Sequence, residues 1–436
     1  MRRTLIRLGL ATAIAAALLG AAAVVTRPAP EDPTTVPAAQ SAVRPPADLL
    51  GDRIARAQQR LRDVPGDWPG WAALGGAYLE QARITADPGL YPKAEQAAKR
   101  SLALRRDGNG DALVVLGALA NARHDFPAAR DHARAALTID SFDADAYGVL
   151  TDALTQLGDA AGATSAAQRM LDLRPGLAAY TRASYDLELR GRLAEANDLM
   201  RRGLDGAVDP HDVAFCRVQL GDLAFGRGDL DTASAEYAAA LSADPSSIAA
   251  RHGTLRVMAA RGDLRGALTG YAGLTASLPS TSALLEYAEL LRLAGREAEA
   301  SQQLELAEAA EGLFTANGGA DGLTAAALAL ARNRPADAVA AASAEWKKRR
   351  HPDVADTLAW ALHATGRDAE ALPYAERAVA GGGHTAVHTY HLGMIQLSLG
   401  RQAEARTEID RALRTNPYFS PLDASTARRA LAGLRP

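Results

Sequence analysis

A single spacing constrains this 436-residue chain more than anything else in it. Gly158, Gly191, Gly228, Gly262, Gly295, Gly366 and Gly400 are followed, each five residues later, by Ala163, Ala196, Ala233, Ala267, Ala300, Ala371 and Ala405. The step from Gly295 to Gly366 is about twice the others, and Asn333 stands midway, where a further glycine belongs. A glycine can take the left-handed conformation that ends a helix without a Cβ penalty. An alanine five residues on falls in the first turns of the next helix, where two backbones approach too closely for a larger side chain. Pro175, Pro245, Pro279 and Pro417 then stop the second helix of their hairpins. The chain therefore reads as a row of helical hairpins. One hairpin cannot bury its own apolar faces, so neighbours must stack into a continuous core. The composition agrees: Ala and Leu dominate a 48% apolar fraction with only 5% aromatics, as suits closely crossing helices.

The stretch Leu220–Pro245 carries Leu220-Gly221, Ala224, Gly228, Ala233, Tyr237, Ala240 and Pro245 at the offsets of a known motif. Trp71-Ala-Ala-Leu74-Gly75-Gly-Ala-Tyr78 matches its W-x2-L-G-x2-Y half in full. On these residues the chain resembles the tetratricopeptide-repeat family, whose unit is about 34 residues long. The resemblance implies an all-α, right-handed superhelical solenoid of about ten helix-turn-helix units. We place the repeats over 68–417, after an N-terminal helix at 48–67 and before a C-terminal capping helix at 418–436. Two segments break the pattern, Glu311–Gly322 and Gly381–Gly383, and read as loose joints or changes of curvature.

Ahead of the array, Arg2, Arg3 and Arg7 precede an uncharged apolar run from Leu8 to Thr26. At 1.5 Å per residue it nearly spans a hydrocarbon core of ~30 Å. Residues 1–26 therefore read as a transmembrane anchor or a cleaved signal peptide, with Ala21-Ala22-Ala23 as the candidate cleavage region. The flanking charges place the N-terminus in the cytoplasm and the repeats outside. The expected location is thus the cell membrane, single-pass with the C-terminal part outside, or secretion after cleavage. Arg2-Arg3 also resembles a twin-arginine export signal. Residues 27–47 carry six prolines, Pro28, Pro30, Pro33, Pro37, Pro45 and Pro46, and read as an extended spacer.

Lys+Arg 48 against Asp+Glu 51 gives a formal net charge of -3, with no basic field to hold a phosphate backbone, so no nucleic-acid partner is expected. The single cysteine, Cys216, allows no intramolecular disulfide and no CxxC site. No glycine-rich phosphate loop or nucleophile elbow occurs; no cofactor is expected, and the array leaves no room for a separate catalytic domain.

The resemblance implies a role in binding protein, a peptide or helix taken up on the concave face. The positions its motif leaves free on the first helix of each unit are Tyr185 and Glu188; Phe215, Asp222 and Phe225; His252 and Arg256; Glu289 and Arg292; Asp356, Trp360 and His363; and Tyr390 and Met394. Aromatics mixed with both signs of charge suit a peptide ligand. Family members that clamp a C-terminal carboxylate use Lys and Asn where this chain has Val218 and Asp222, so that mode is not expected. The alternative from another class is a metal-binding protein or metalloenzyme built on His384, His388 and His391, since imidazoles spaced i, i+4 can share an ion. No HExxH accompanies them. The basic run Trp346–His351 reads as an exposed helix end.

Overall fold

The computed structural model describes residues 46–383 and 385–434. These form 22 α-helices and one short 3-10 turn, with no strand among the described residues. Helix α1 (Pro46–Asp63) leads into ten hairpins: α2 (Trp68–Thr85) with α3 (Tyr91–Leu104), α4 (Gly110–Ala122) with α5 (Phe126–Ile139), α6 (Ala144–Leu157) with α7 (Ala160–Leu173), α8 (Leu177–Leu189) with α9 (Leu193–Asp205), and α10 (Pro210–Gly226) with α11 (Leu230–Ala243). The second five are α12 (Ile248–Ala260) with α13 (Leu264–Ser277), α14 (Thr281–Leu293) with α15 (Glu297–Ala316), α16 (Gly322–Ala331) with α17 (Pro335–Lys348), α18 (Pro352–Ala364) with α19 (Asp368–Val379), and α20 (Ala386–Ser398) with α21 (Gln402–Thr415). Helix α22 (Asp423–Gly433) closes the row. The apolar run at 8–26 lies outside the described residues; among those described, no helix is long and apolar enough to cross a membrane.

The glycine series marks the turns inside the hairpins. All seven glycines have positive φ, and the three hairpins lacking one put Ala86, His124 and Asn333 in the same conformation. Every hairpin thus reverses through one left-handed residue, which closes the helix with a backbone bond such as Asp159 N–H to Leu154 O at 3.0 Å. Where aspartate follows the glycine, as at Asp159, Asp229 and Asp263, its carboxylate caps the next helix by accepting from the third backbone N–H. Arg192, Arg296 and Arg367 replace it elsewhere and instead pair with Glu195, Glu299 and Glu370 on the surface.

The alanines five residues on are all buried to 2% exposure or less, which confirms the close crossing. The same crossing explains the motif glycine of the first helix. A Cβ on Gly221 or Gly253 would lie within 2.6 Å of the ring of Tyr237, which is fully buried between them.

The accumulated curvature brings the chain back onto itself once per superhelical turn. The Asn416 amide donates to Phe225 O at 2.8 Å across 191 residues, and Arg123 Nε to Asn317 O at 3.1 Å across 194. Between them, Ala320 N–H reaches Arg123 O and Arg350 N–H reaches Leu157 O, at 3.1 and 3.3 Å. A seam results, in which the ends of α4, α6, α8 and α10 rest on the segments leading into α16, α18, α20 and α22. Glycines line it for want of space: a Cβ on Gly158 would meet Arg350 O at 2.6 Å, and one on Gly191 would meet Gly382 O at 2.3 Å.

The seam reverses three expectations. Gly381–Gly383 and the glycines near 318, expected to be loose joints or changes of curvature, are tight contact points between turns and so not loose. A Cβ on Gly383 would sit 2.5 Å from Leu189 O. The basic run does not end in solvent: Arg349 and His351 are 4% and 1% exposed. Arg349 bonds Glu345 and Gln156 and lies over the Phe126 ring at 5.1 Å, while His351 caps α18.

Candidate functional site: the inner face of the fifth to seventh hairpins

Helices α10, α12 and α14 point a set of charged side chains into the bore, where they meet one another. Asp222 accepts from the Tyr237 hydroxyl at 2.7 Å and from Arg256 Nη1 at 3.4 Å. The Arg256 guanidinium lies 4.2 Å from the ring centre of Phe225, a cation–π contact. His252 Nε2 and Glu286 Oε2 are 2.7 Å apart, and the Tyr271 hydroxyl donates to the same oxygen at 2.6 Å. Both ion pairs span 34 residues, one repeat, so each joins a hairpin to its neighbour. Neither Glu286 nor Tyr271 was foreseen from the motif; the one-repeat spacing of Glu286 from His252 and its fifteen-residue spacing from Tyr271 were the available signal.

The carboxyls of this network titrate in opposite directions. Burial would raise Glu286, but His252, Arg256 and the Tyr271 hydroxyl outweigh it and hold the group at about 2. Burial raises Asp222 despite Arg256 and Tyr237. Glu289 is pushed up to about 7 by burial, even though it accepts from Ser420 Oγ at 2.8 Å and from Leu422 N–H at 3.2 Å.

A carboxyl raised on folding stabilises the chain while it holds its proton. That contribution is complete below about 4.5, its ordinary value, and is lost as pH rises through about 7. Glu289→Gln, which keeps the acceptor oxygen and removes the charge, is expected to leave stability unchanged at pH 4.5. At pH 8 it should raise stability by about 2–3 kcal/mol. Urea unfolding at both pH values reads this; equal effects at the two would refute it.

Between this network and the C-terminal segment lies a cavity of about 310 Å³. Phe225, Arg256, Tyr271, Glu286, Glu289 and Leu293 form its inner wall, and Pro417–Pro421, Ala424 and Arg428 its outer one. Leu293 is 44% exposed at the rim.

The other inner-face residues separate into three groups. Asp356, Trp360 and Tyr390 are buried at 4%, 4% and 2%, so the fold uses them for packing, while Phe225, 5% exposed, lines the cavity beside Arg256. Trp360 stacks on His391 at 4.0 Å and on His363 at 4.7 Å, and Asp356 accepts from His391 Nδ1 at 2.9 Å. Phe215 packs on the core around Cys216 and Leu220, and Met394 on that around Tyr390. Arg292 pairs with Glu297, and His363 with Asp368. Tyr185 and Glu188 lie on α8, in the hairpin before this network. Burial, with Asp353 and Glu188 beside it, drives the Tyr185 hydroxyl well above its ordinary value. Glu188 remains accessible to solvent, yet its enclosed surroundings and the charges of Asp222 and Asp353 push it up to about 7.

Two of the three clustered histidines are described, and both face carboxylates. His384 lies outside the described residues. His388 and His391 are buried against Asp353 and Asp356, at 3.5 and 2.9 Å, and their charges hold Asp356 low against its burial. Among the described residues, no group of three or more histidine, cysteine, aspartate or glutamate side chains is placed to hold a metal ion.

Ten stacked hairpins with an inward-facing polar surface define a helical repeat solenoid. The family model for the tetratricopeptide repeat matches residues 390–419, and the hairpins before that stretch carry the same turn and crossing residues. No curated protein matches the chain. Solved structures similar to it include a thermophilic TPR protein of Thermus thermophilus, 20% identical, covering 39% of this chain and 91% of that one with a TM-score of 0.36. A tetratricopeptide repeat protein of Parabacteroides merdae is 18% identical over 59% of this chain and 97% of its own, with a TM-score of 0.36. The human IFIT1 dimer with PPP-AAAA is 12% identical over 76% of this chain and 77% of its own, with a TM-score of 0.47. These are likenesses of repeat architecture alone.

Proposed function

We propose that this chain is a non-enzymatic scaffold that binds protein, taking a peptide or helical segment of its partner on the inner face. We place it at the outer side of the cytoplasmic membrane, held there by residues 1–26 or released after their cleavage. The observation that carries the reading is the cavity of about 310 Å³ on the inner face of α12 and α14, with aromatic walls, both signs of charge and an exposed leucine at its rim. Aromatic and arginine side chains around a recessed pocket are what a peptide anchor requires. Protein is preferred over nucleic acid as the ligand because Arg256 and Arg292 on this face are already paired, with Asp222 and Glu297, and the chain carries a net charge of -3. The membrane part rests on the charged-then-apolar order of the first 26 residues.

Photo-crosslinking in living cells tests the binding face. A benzophenone side chain at Leu293 should yield a discrete protein adduct identifiable by mass spectrometry, and one at Val208, 93% exposed on a loop elsewhere, should not. The same adducts from both positions, or none from either, would overturn the assignment.

A further inference from the structure

The inner face of the fifth to seventh hairpins already holds a peptide, and it belongs to this chain. Beyond α21, residues 416–422 run across the bore before α22 begins. Asn416 donates to Phe225 O, and the Phe419 ring meets Tyr390 at 5.2 Å between centroids. Ser420 Oγ and Leu422 N–H both donate to one oxygen of Glu289. Asn416, Ser420 and Leu422 are buried at 3%, 3% and 5%.

A segment kept only to cover an apolar end would close on the surface beneath it, because an unfilled gap forfeits dispersion contacts on every wall. This one leaves the cavity of about 310 Å³ under Pro417–Pro421. Beyond the Asn416 bond to Phe225 O at its start, its polar contacts with the inner face converge on one carboxyl, and Pro421 is exposed. The groove is thus larger than its occupant and held to it at few points.

We infer that residues 416–422 are a tethered stand-in for the partner, and that the partner contributes an extended segment of the same chemistry. That segment has an aromatic residue, then a hydroxyl residue, with a free backbone N–H two positions on, so that hydroxyl and N–H share Glu289. It fills the cavity with a bulkier aromatic or apolar side chain than this chain supplies, and it enters by displacing 416–422 and α22. The inference rests on the scaffold reading above and narrows it to one site and one ligand pattern.

A tethered ligand competes at an effective concentration on the order of millimolar, so the intact chain should bind a free copy weakly. The probe is a fluorescent synthetic peptide with the sequence of residues 416–424. The full chain with Phe419→Ala and Ser420→Ala, shown folded by its helical circular dichroism and cooperative melt, should bind it at least about tenfold more tightly than the unaltered chain. Adding Glu289→Ala should abolish that gain. As a second measurement needing no variant, excess peptide should speed amide hydrogen exchange over 422–433 in the unaltered chain, and a scrambled peptide should not. Equal binding by the folded variant and the unaltered chain, or exchange indifferent to the peptide, would overturn the inference. Either result would leave the Leu293 crosslinking outcome, and with it the scaffold reading, standing.

Discussion

Gly158→Ala is expected to destabilise the chain by about 3 kcal/mol, and Gly262→Ala by about 1 kcal/mol. The two glycines occupy the same turn of their hairpins with nearly the same backbone, φ 83° and 87°. Either substitution places a Cβ in the left-handed region, which accounts for the smaller cost. At Gly262 that Cβ meets nothing within 4 Å, whereas at Gly158 it would lie 2.6 Å from Arg350 O and 2.9 Å from its carbonyl carbon. Those are backbone atoms, so one turn of the superhelix must shift off the next, breaking the Arg350 to Leu157 bond. Gly191 and Gly295 form a second matched pair, with Gly382 O 2.3 Å from the one and open space around the other. Thermal unfolding ranks the four. Small-angle scattering adds a readout of the seam, since Gly158→Ala and Gly191→Ala should enlarge the radius of gyration and the other two should not. Equal losses within each pair would mean that the seam contributes nothing to stability.

The second large effect concerns a residue that the motif places on the binding face. Trp360→Ala should cost about 3–5 kcal/mol, the usual range for emptying a buried aromatic site. The indole is 4% exposed, sandwiched between His391 and His363 and tilted against Tyr390 at 5.9 Å. Its Nε1–H has no hydrogen-bond partner, so the ring is held by packing alone. Trp360→Phe should therefore cost much less, under about 1.5 kcal/mol. A Trp360→Ala chain that melts as before but fails to capture partner would return the residue to the binding surface.

Legibility in the sequence followed the range of the contacts. The turn glycines, the alanines at the crossings and the terminal prolines are set within one hairpin, and all were readable. Asn333 was recognised as the glycine's substitute because its position in the spacing was known; His124 and Ala86 were not, since neither residue type announces a positive φ. Among candidate site residues, the motif separated neither core from inner face, since Asp356, Trp360 and Tyr390 are buried, nor free from committed. His252 and Arg256 are both spent on carboxylates one repeat away. Glu289 is covered by the chain's own Ser420 from 131 residues further along.

The sequence alone determined the hairpin, its repetition and the faces it buries, because a helix crossing needs only the residue types at a few offsets within about 34 positions. The tertiary structure decided how tightly the solenoid winds. A small rotation at each interface between hairpins accumulates over a whole turn, and no local pattern reports the sum. That sum brings Gly381–Gly383 onto Leu189–Gly191, buries Arg349 and His351 in the seam, and lays residues 416–422 across Glu289.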